Sequence, residues 1–225
     1  ARQIERVLEA LCSTPAGKNT IVIVLADHGD GMGSHRMVTK QVSFYEEMTN
    51  VPFIIAGPGI HPRQKPVEDL LTQPTIDLLP TLCELAGIPV PSSKPGISLA
   101  PFLKGEKQKR QHPYAASEWH SEYEVTVSQG RMIRSPRYKY THYLEGNGEE
   151  LYDMLKDKGE RRNLAHDPKY SKILAEHRAL LDDYIRRTQD DYRSLKVEAD
   201  KRWRSHAPGY PNHEGPCARD IINRK

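Results

Sequence analysis

At 225 residues with 37% hydrophobic content, the chain is long enough to bury a sizeable core, which excludes a fibrous or disordered polypeptide. Its net charge of +3 is the small difference between 33 basic and 30 acidic residues spread along the sequence, so it offers no basic stripe for nucleic acid. No apolar stretch approaches the roughly 20 residues of a membrane span, the amino-terminal "ARQIERVLEALCSTPAG" lacks the apolar centre of a signal peptide, and three widely spaced cysteines, Cys12, Cys83 and Cys217, suit neither a disulfide framework nor a zinc knuckle.

The first half alternates between helical and strand patterns. Ile4, Val7, Leu8 and Leu11 recur at helical spacing until Pro15 and Gly17, and the run from Ile21 to Ala26 predicts a strand buried on both faces. After a polar loop, "QVSFYEEM" has the pattern of a short helix, and Val51 to Ala56 predicts a second buried strand ended by Gly57-Pro58-Gly59. Thr75 precedes a helix carrying Ile76, Leu78, Leu79, Leu82 and Leu85, stopped by Gly87 and Pro89. Residues 1–100 therefore read as α/β layers.

The texture then changes. A stretch rich in proline, lysine and glycine, with residues 101–112 as its centre, reads as a connection to a second unit over 113–190. There "YAASEW", "YEVTVSQ", "RMIRS" and "YKYTHYL" predict a small antiparallel sheet. Asp167-Pro168 opens a helix whose Ile173, Leu174, Leu180, Leu181, Tyr184 and Ile185 share one face. Residues 191–225 show no period and read as an irregular tail.

Chemistry concentrates between the first two strands, in "LADHGDGMGSHRMVTK" from Leu25 to Lys40. Ligands of open α/β sheets bind outside the carboxyl ends of strands, which is where Asp27 and His28 stand. A hard carboxylate oxygen beside a neutral imidazole nitrogen suits a divalent ion that accepts mixed ligands. Gly29, Gly31 and Gly33 let such a loop turn tightly. The bland alternative is that Asp27 caps a turn while His28 and His35 are solvated. Trp119 and His120, the run "KGEKQKR", and His206 and His213 in the tail carry no pattern that selects function over packing or solvent.

Asp27-His28-Gly29-Asp30, then Gly33-x-His35, Lys40, "FYEE" and "VPFIIAGPGI" resemble, in order and spacing, the second metal-binding block of the sulfatases of the alkaline-phosphatase superfamily. "TQPTIDLLPTLCELAGIPVP", "GISLAPFLKGE" and "RYKYTHYLEGNGEELYDMLKDKGERRNLA" extend the likeness to about Arg187. The resemblance implies a sulfatase-like α/β sheet domain followed by a small antiparallel sheet and helix. It implies that Asp27 and His28 bind a divalent metal, Ca²⁺ before Mg²⁺ or Mn²⁺, that Lys40 contacts the sulfate, that His35 contacts the substrate, and that Asp30 supports His28 or the loop. Sulfated small molecules or carbohydrates are the implied substrates.

The family's formylglycine arises from a C/S-x-P/A-x-R motif, and this chain has none, since Cys12 is followed by "STPAG" and neither Ser135-Pro136-Arg137 nor Cys217-Ala218-Arg219 has the spacing. No nucleophile is therefore expected here. The chain reads as the carboxyl-terminal portion of a longer enzyme, inactive alone, whose amino-terminal part brings the formylglycine and further metal ligands. A phosphodiester or phosphonate monoester hydrolase of the same superfamily shares the block, and a non-catalytic interaction module of the same fold is the third reading. The absence of an N-x-S/T sequon leans toward a bacterial periplasmic or extracellular protein over a lysosomal or secreted glycoprotein.

Overall fold

Two short runs of β-branched residues pair first. In the computed structural model, which describes residues 2–38, 43–63, 65–67, 70–92, 95–106, 112–119, 129–144 and 148–194, β1 (Val22–Leu25) runs antiparallel to β2 (Phe53–Ala56), with Val22 opposite Ala56 and Leu25 opposite Phe53. The carboxyl end of β1 thus lies beside the amino end of β2. The loop opened by Asp27 and the short helix α2 (Glu46–Thr49), which leads into β2, meet at that end.

The expected burial of both strand faces is not observed. Leu25 is 41% and Ile54 57% exposed, and helix α1 (Arg2–Cys12), with its apolar residues at the expected spacing, buries none of them. Among the described residues no second layer lies across these surfaces.

Helix α3 (Pro74–Leu85) carries an unusual buried polar side. Asp77, fully buried, accepts the amide N–H groups of Gln73 at 2.8 Å and Ile97 at 2.9 Å and faces His112 Nε2 at 2.9 Å. Thr81 Oγ1 accepts the amide of Leu99 at 2.9 Å. A buried carboxylate needs such partners, and here they tie Ile97, Leu99 and His112 to the helix. The stretch expected as a plain connection therefore starts with a turn of helix, α4 (Ala100–Leu103), and stays attached at both ends.

Beyond it, β3 (Ala115–Trp119), β4 (Gly130–Arg134), β5 (Tyr138–Tyr143) and β6 (Glu149–Asp153) form an antiparallel sheet in sequence order. Strand alternation explains its two faces. Ile133, Tyr140 and Leu151 are cross-strand neighbours on one face and are covered by Leu174 and Leu181 of α5 (Ser171–Thr188). The remaining expected apolar positions of that helix, Ile173, Leu180, Tyr184 and Ile185, pack around the same cluster. Asp167 starts this segment by accepting the amide of Lys169 at 3.1 Å. His177 pins helix to sheet: it is buried, donates from Nδ1 to the Ile173 carbonyl at 2.8 Å, and accepts the Ser135 hydroxyl at Nε2 at 2.9 Å.

Met132 and Tyr143 look the other way, onto Phe44 from the segment before α2. The sheet is thereby held between its own helix and the first half of the chain. Most of "YEVTVSQ", together with His120, His206, His213, Cys217 and the stretch 195–225, lies outside the described residues.

The Phe44 contact gives a direct test. A Cβ at Gly130 would stand 2.7 Å from Phe44 Cε2 and 3.0 Å from Tyr143 Cδ1, so Gly130→Ala is expected to lower stability by about 1–3 kcal/mol, as overpacking does. Urea unfolding measures it; an unchanged midpoint would show that Phe44 is not wedged there.

Candidate functional site

Asp27 and His28 emerge exposed from the carboxyl end of β1, and their side chains are brought together. Asp27 Oδ1 accepts the His28 amide at 2.9 Å, while Oδ2 stands 3.5 Å from His28 Nε2. His28 Nδ1 lies 2.8 Å from the Gly29 carbonyl oxygen, which can only accept. The neutral ring therefore keeps its proton on Nδ1 and its lone pair on Nε2. A carboxylate oxygen and an imidazole lone pair side by side are two donors for one cation, and a backbone carbonyl on the other ring nitrogen is the usual orienting partner of a ligand histidine. The pair fits a divalent metal.

The other candidates fall differently. Asp30 is exposed, and the Nδ1 side of the His28 ring faces the Gly29 carbonyl. Lys40 lies outside the described residues. His35 sits in a turn where Met32, His35 and Arg36 all have left-handed backbone, with φ of 45°, 48° and 61°. Each such residue costs roughly 1–2 kcal/mol, so the turn persists only because its surroundings hold it. Gly33 and Ser34 donate to Met37 and Gly31 across it at 2.7 Å each. The imidazole lies flat on Tyr45, with centroids 3.7 Å apart and planes 1° from parallel, and Nε2 faces Glu47 Oε2 at 3.8 Å.

Beneath this surface runs a network of buried charge. Lys139 of β5, 1% exposed, places Nζ 2.7 Å from Glu46 Oε1, 2.9 Å from Glu160 Oε1 and 2.8 Å from the Phe44 carbonyl oxygen. Glu160 Oε2 in turn accepts the Glu46 amide at 2.6 Å. His35, Glu47 and Glu160 have ligand-type atoms within 4.8 Å of one another, and of these Glu160 is already paired with the ammonium of Lys139. Burial is the largest influence on the Glu46 carboxylate and works against it, yet Lys139, Arg134 and Asn50 together outweigh burial and hold Glu46 below the usual carboxylate range. For Glu160 burial prevails over Lys139 and its carboxyl is raised.

Helix α2 passes this anchorage to the loop. The Gly29 amide donates to the Met48 carbonyl at 2.9 Å, and a Cβ at Gly29 would fall 1.8 Å from the Glu47 carbonyl oxygen. Only glycine allows the Asp27-His28 loop so close. None of Tyr45, Glu46, Glu47, Lys139 or Glu160 is singled out by the sequence reading. "FYEE" and "KGERRNLA" belong to the blocks that carry the resemblance, yet no linear pattern pairs residues as far apart as Glu46 and Glu160.

The sequence and fold have known counterparts. A family model described as N-sulphoglucosamine sulphohydrolase, C-terminal, matches residues 33–187. A Delta 4,5-hexuronate-2-O-sulfatase from Bacteroides thetaiotaomicron is 74% identical over 225 residues, which is 100% of this chain and 47% of that protein. The chain thus spans about half the length of this curated relative. A solved 2-O GAG sulfatase superposes with a TM-score of 0.85 at 75% identity, covering 98% of this chain and 48% of the other. A phosphonate monoester hydrolase from Silicibacter pomeroyi gives 0.71 at 28% identity, covering 85% and 40%.

Glu150 allows the buried charge to be tested. Burial first and the Glu160 carboxylate second push its carboxyl up to about 7, against a smaller opposing pull from Lys139. A raised folded value means that the native state holds the proton where the unfolded chain has lost it, so stability drains away as pH rises from about 4.5 to about 7. Glu150→Gln removes this penalty. It is expected to stabilise the protein by on the order of 1–3 kcal/mol at pH 8 and by nearly nothing at pH 4. Denaturant unfolding at the two pH values checks it, and a variant equally or less stable at pH 8 would contradict the placement of Glu150.

Proposed function

The chain belongs to the sulfatases, and from that membership we propose that it supplies the carboxyl-terminal side of the active site of a sulfuric ester hydrolase. One observation carries the proposal: Asp27 Oδ2 and the Nε2 lone pair of His28 lie 3.5 Å apart, with the opposite ring nitrogen tied to a backbone carbonyl. These two residues would hold the divalent metal, with Ca²⁺ the proposed ion and Mg²⁺ or Mn²⁺ the alternatives. Such an ion, when bound, neutralises charge on the sulfuryl oxygens. Lys40 is proposed to balance charge gathering on the leaving oxygen, for which a compact ammonium on a flexible stem is suited. His35 is proposed to contact the ester, and Asp30 to support the loop.

The nucleophile, a formylglycine, is proposed to come from an amino-terminal portion that also covers the exposed apolar surface. Val7 at 66%, Ile54 at 57% and Leu25 at 41% exposure are the residues such a portion would bury. The proposed substrate is a sulfated carbohydrate, a uronate 2-O-sulfate in particular, given the activity named for the 74% identical relative. A bacterial protein in a periplasmic or extracellular setting is proposed, of which the source of that relative supports only the bacterial part. No helix among the described residues is long and apolar enough to cross a membrane. A phosphonate monoester hydrolase is the second reading, favoured by the fold shared with such an enzyme, because Asp27, His28 and Lys40 serve either ester.

Kinetics of the intact enzyme on paired sulfate and phosphonate esters separate the two readings. Asp27→Ala is expected to lose bound metal and activity together. Lys40→Ala should keep its metal and lose on the order of 10²-fold in kcat, as when one oxyanion donor is removed. A Lys40→Ala enzyme with normal turnover, or an Asp27→Ala enzyme with full metal content, would refute the roles assigned.

A further inference from the structure

Helix α2 does two things with one residue. The main chain of Glu47 lies against Gly29, where only a hydrogen atom fits, and so sets the position of the loop bearing Asp27 and His28. Its side chain points to the other candidate, His35, with Oε2 3.8 Å from Nε2. Both side chains are largely withdrawn from water, the imidazole 17% and the carboxylate 32% exposed. The neighbouring Glu46 is tied to Lys139 and its amide to Glu160, so α2 has little freedom to retreat. The face of the imidazole rests on the Tyr45 ring in near-perfect parallel contact.

We propose that Glu47 is a positioning residue for the hydrolytic site: it backs Nε2 of His35, fixes the ring against Tyr45, and leaves Nδ1 as the nitrogen that meets the ester. The inference rests on the hydrolase reading above. Its physical basis is that an imidazole's tautomer is set by what its other nitrogen faces. A carboxylate facing Nε2 favours the proton there, because a negative charge attracts an N–H and repels a lone pair. His28 differs because its Nδ1–H is held by the Gly29 carbonyl at 2.8 Å, a hydrogen bond that outweighs the Asp27 carboxylate 3.5 Å from Nε2 and leaves that nitrogen for metal. The two histidines of one loop are thereby set to present different nitrogens. The left-handed backbone at Met32, His35 and Arg36 is the local cost of bringing the second ring round to Glu47.

Two measurements test this separately. In histidine-labelled chain at a pH where the ring is neutral, long-range proton–nitrogen spectra should show His35 as the Nε2–H tautomer, and Glu47→Ala should convert it to a mixture with Nδ1–H. An unchanged tautomer in Glu47→Ala would overturn the proposal whatever the protein hydrolyses. In the intact enzyme, Glu47→Ala is expected to cost roughly 10-fold in kcat with little change in KM, the scale of losing a ligand-orienting partner. His35→Ala should cost on the order of 10²-fold, and adding Glu47→Ala to it should cost nothing further, since Glu47 acts through that ring. Fully multiplicative losses would assign Glu47 to stability alone and refute the proposal. Glu47→Gln, which keeps the shape of the side chain, substitutes in both experiments if Glu47→Ala unfolds. Failure to hydrolyse either ester would defeat the hydrolase reading, while the tautomer spectra would still decide the role of Glu47.

Discussion

The ammonium of Lys139 cannot stay buried without anions, and that constraint organises the protein. A charge with 1% exposure is tolerable only when paired and hydrogen-bonded. Lys139 reaches Glu46 and the Phe44 carbonyl on one side and Glu160 on the other, tying three parts of the chain that no secondary structure joins. Removing one partner of such a group typically costs about 3–5 kcal/mol, since the others remain buried and uncompensated. What it fixes in space is α2. Through Gly29 and Met48 that helix fixes the loop that carries Asp27 and His28, and through Glu47 it fixes the ring of His35. The small sheet and its helix are therefore a foundation for a site that lies wholly outside them.

Hydrophobic contact reinforces the same joint. Phe44 enters the face of the sheet opposite α5, against Met132 and Tyr143, while Asp77 and Thr81 hold Ile97, Leu99 and His112 against α3. The apolar surface that remains open on α1, β1 and β2 contrasts with this well-filled joint. It matches a chain that spans about half of the curated relative it matches. Exposed apolar residues in such number ordinarily mark an interaction surface.

Patterns that repeat locally were legible in the sequence. The period of α5, the alternation of β4 and β5 and the strand pair flanking the loop needed only neighbours within a few residues to be read. Asp27 and His28 stood out because metal chemistry restricts donor types and because they follow a strand, and the structure brings their side chains together. Three things were not. The buried polar face of α3 turned an expected connection into an attached segment, since Asp77 and Thr81 within an apolar helix look like surface residues until their partners at Ile97, Leu99 and His112 are known. The support of His28 falls to a backbone carbonyl, which has no letter in a sequence. Lys139, Glu46 and Glu160 read as three ordinary surface charges, because ion pairs across such separations leave no periodic trace.

The dependence of the site on this buried lysine is measurable by amide exchange in Lys139→Met. The amides of Gly29, Glu46 and Asn50 are expected to exchange at least about 10-fold faster, the response of a locally released segment. Those of Met132 and Ile133, inside the sheet, should keep their protection. Equal protection of Gly29 and Glu46 in wild type and variant, or a uniform loss across site and sheet alike, would contradict a site held in place through Lys139.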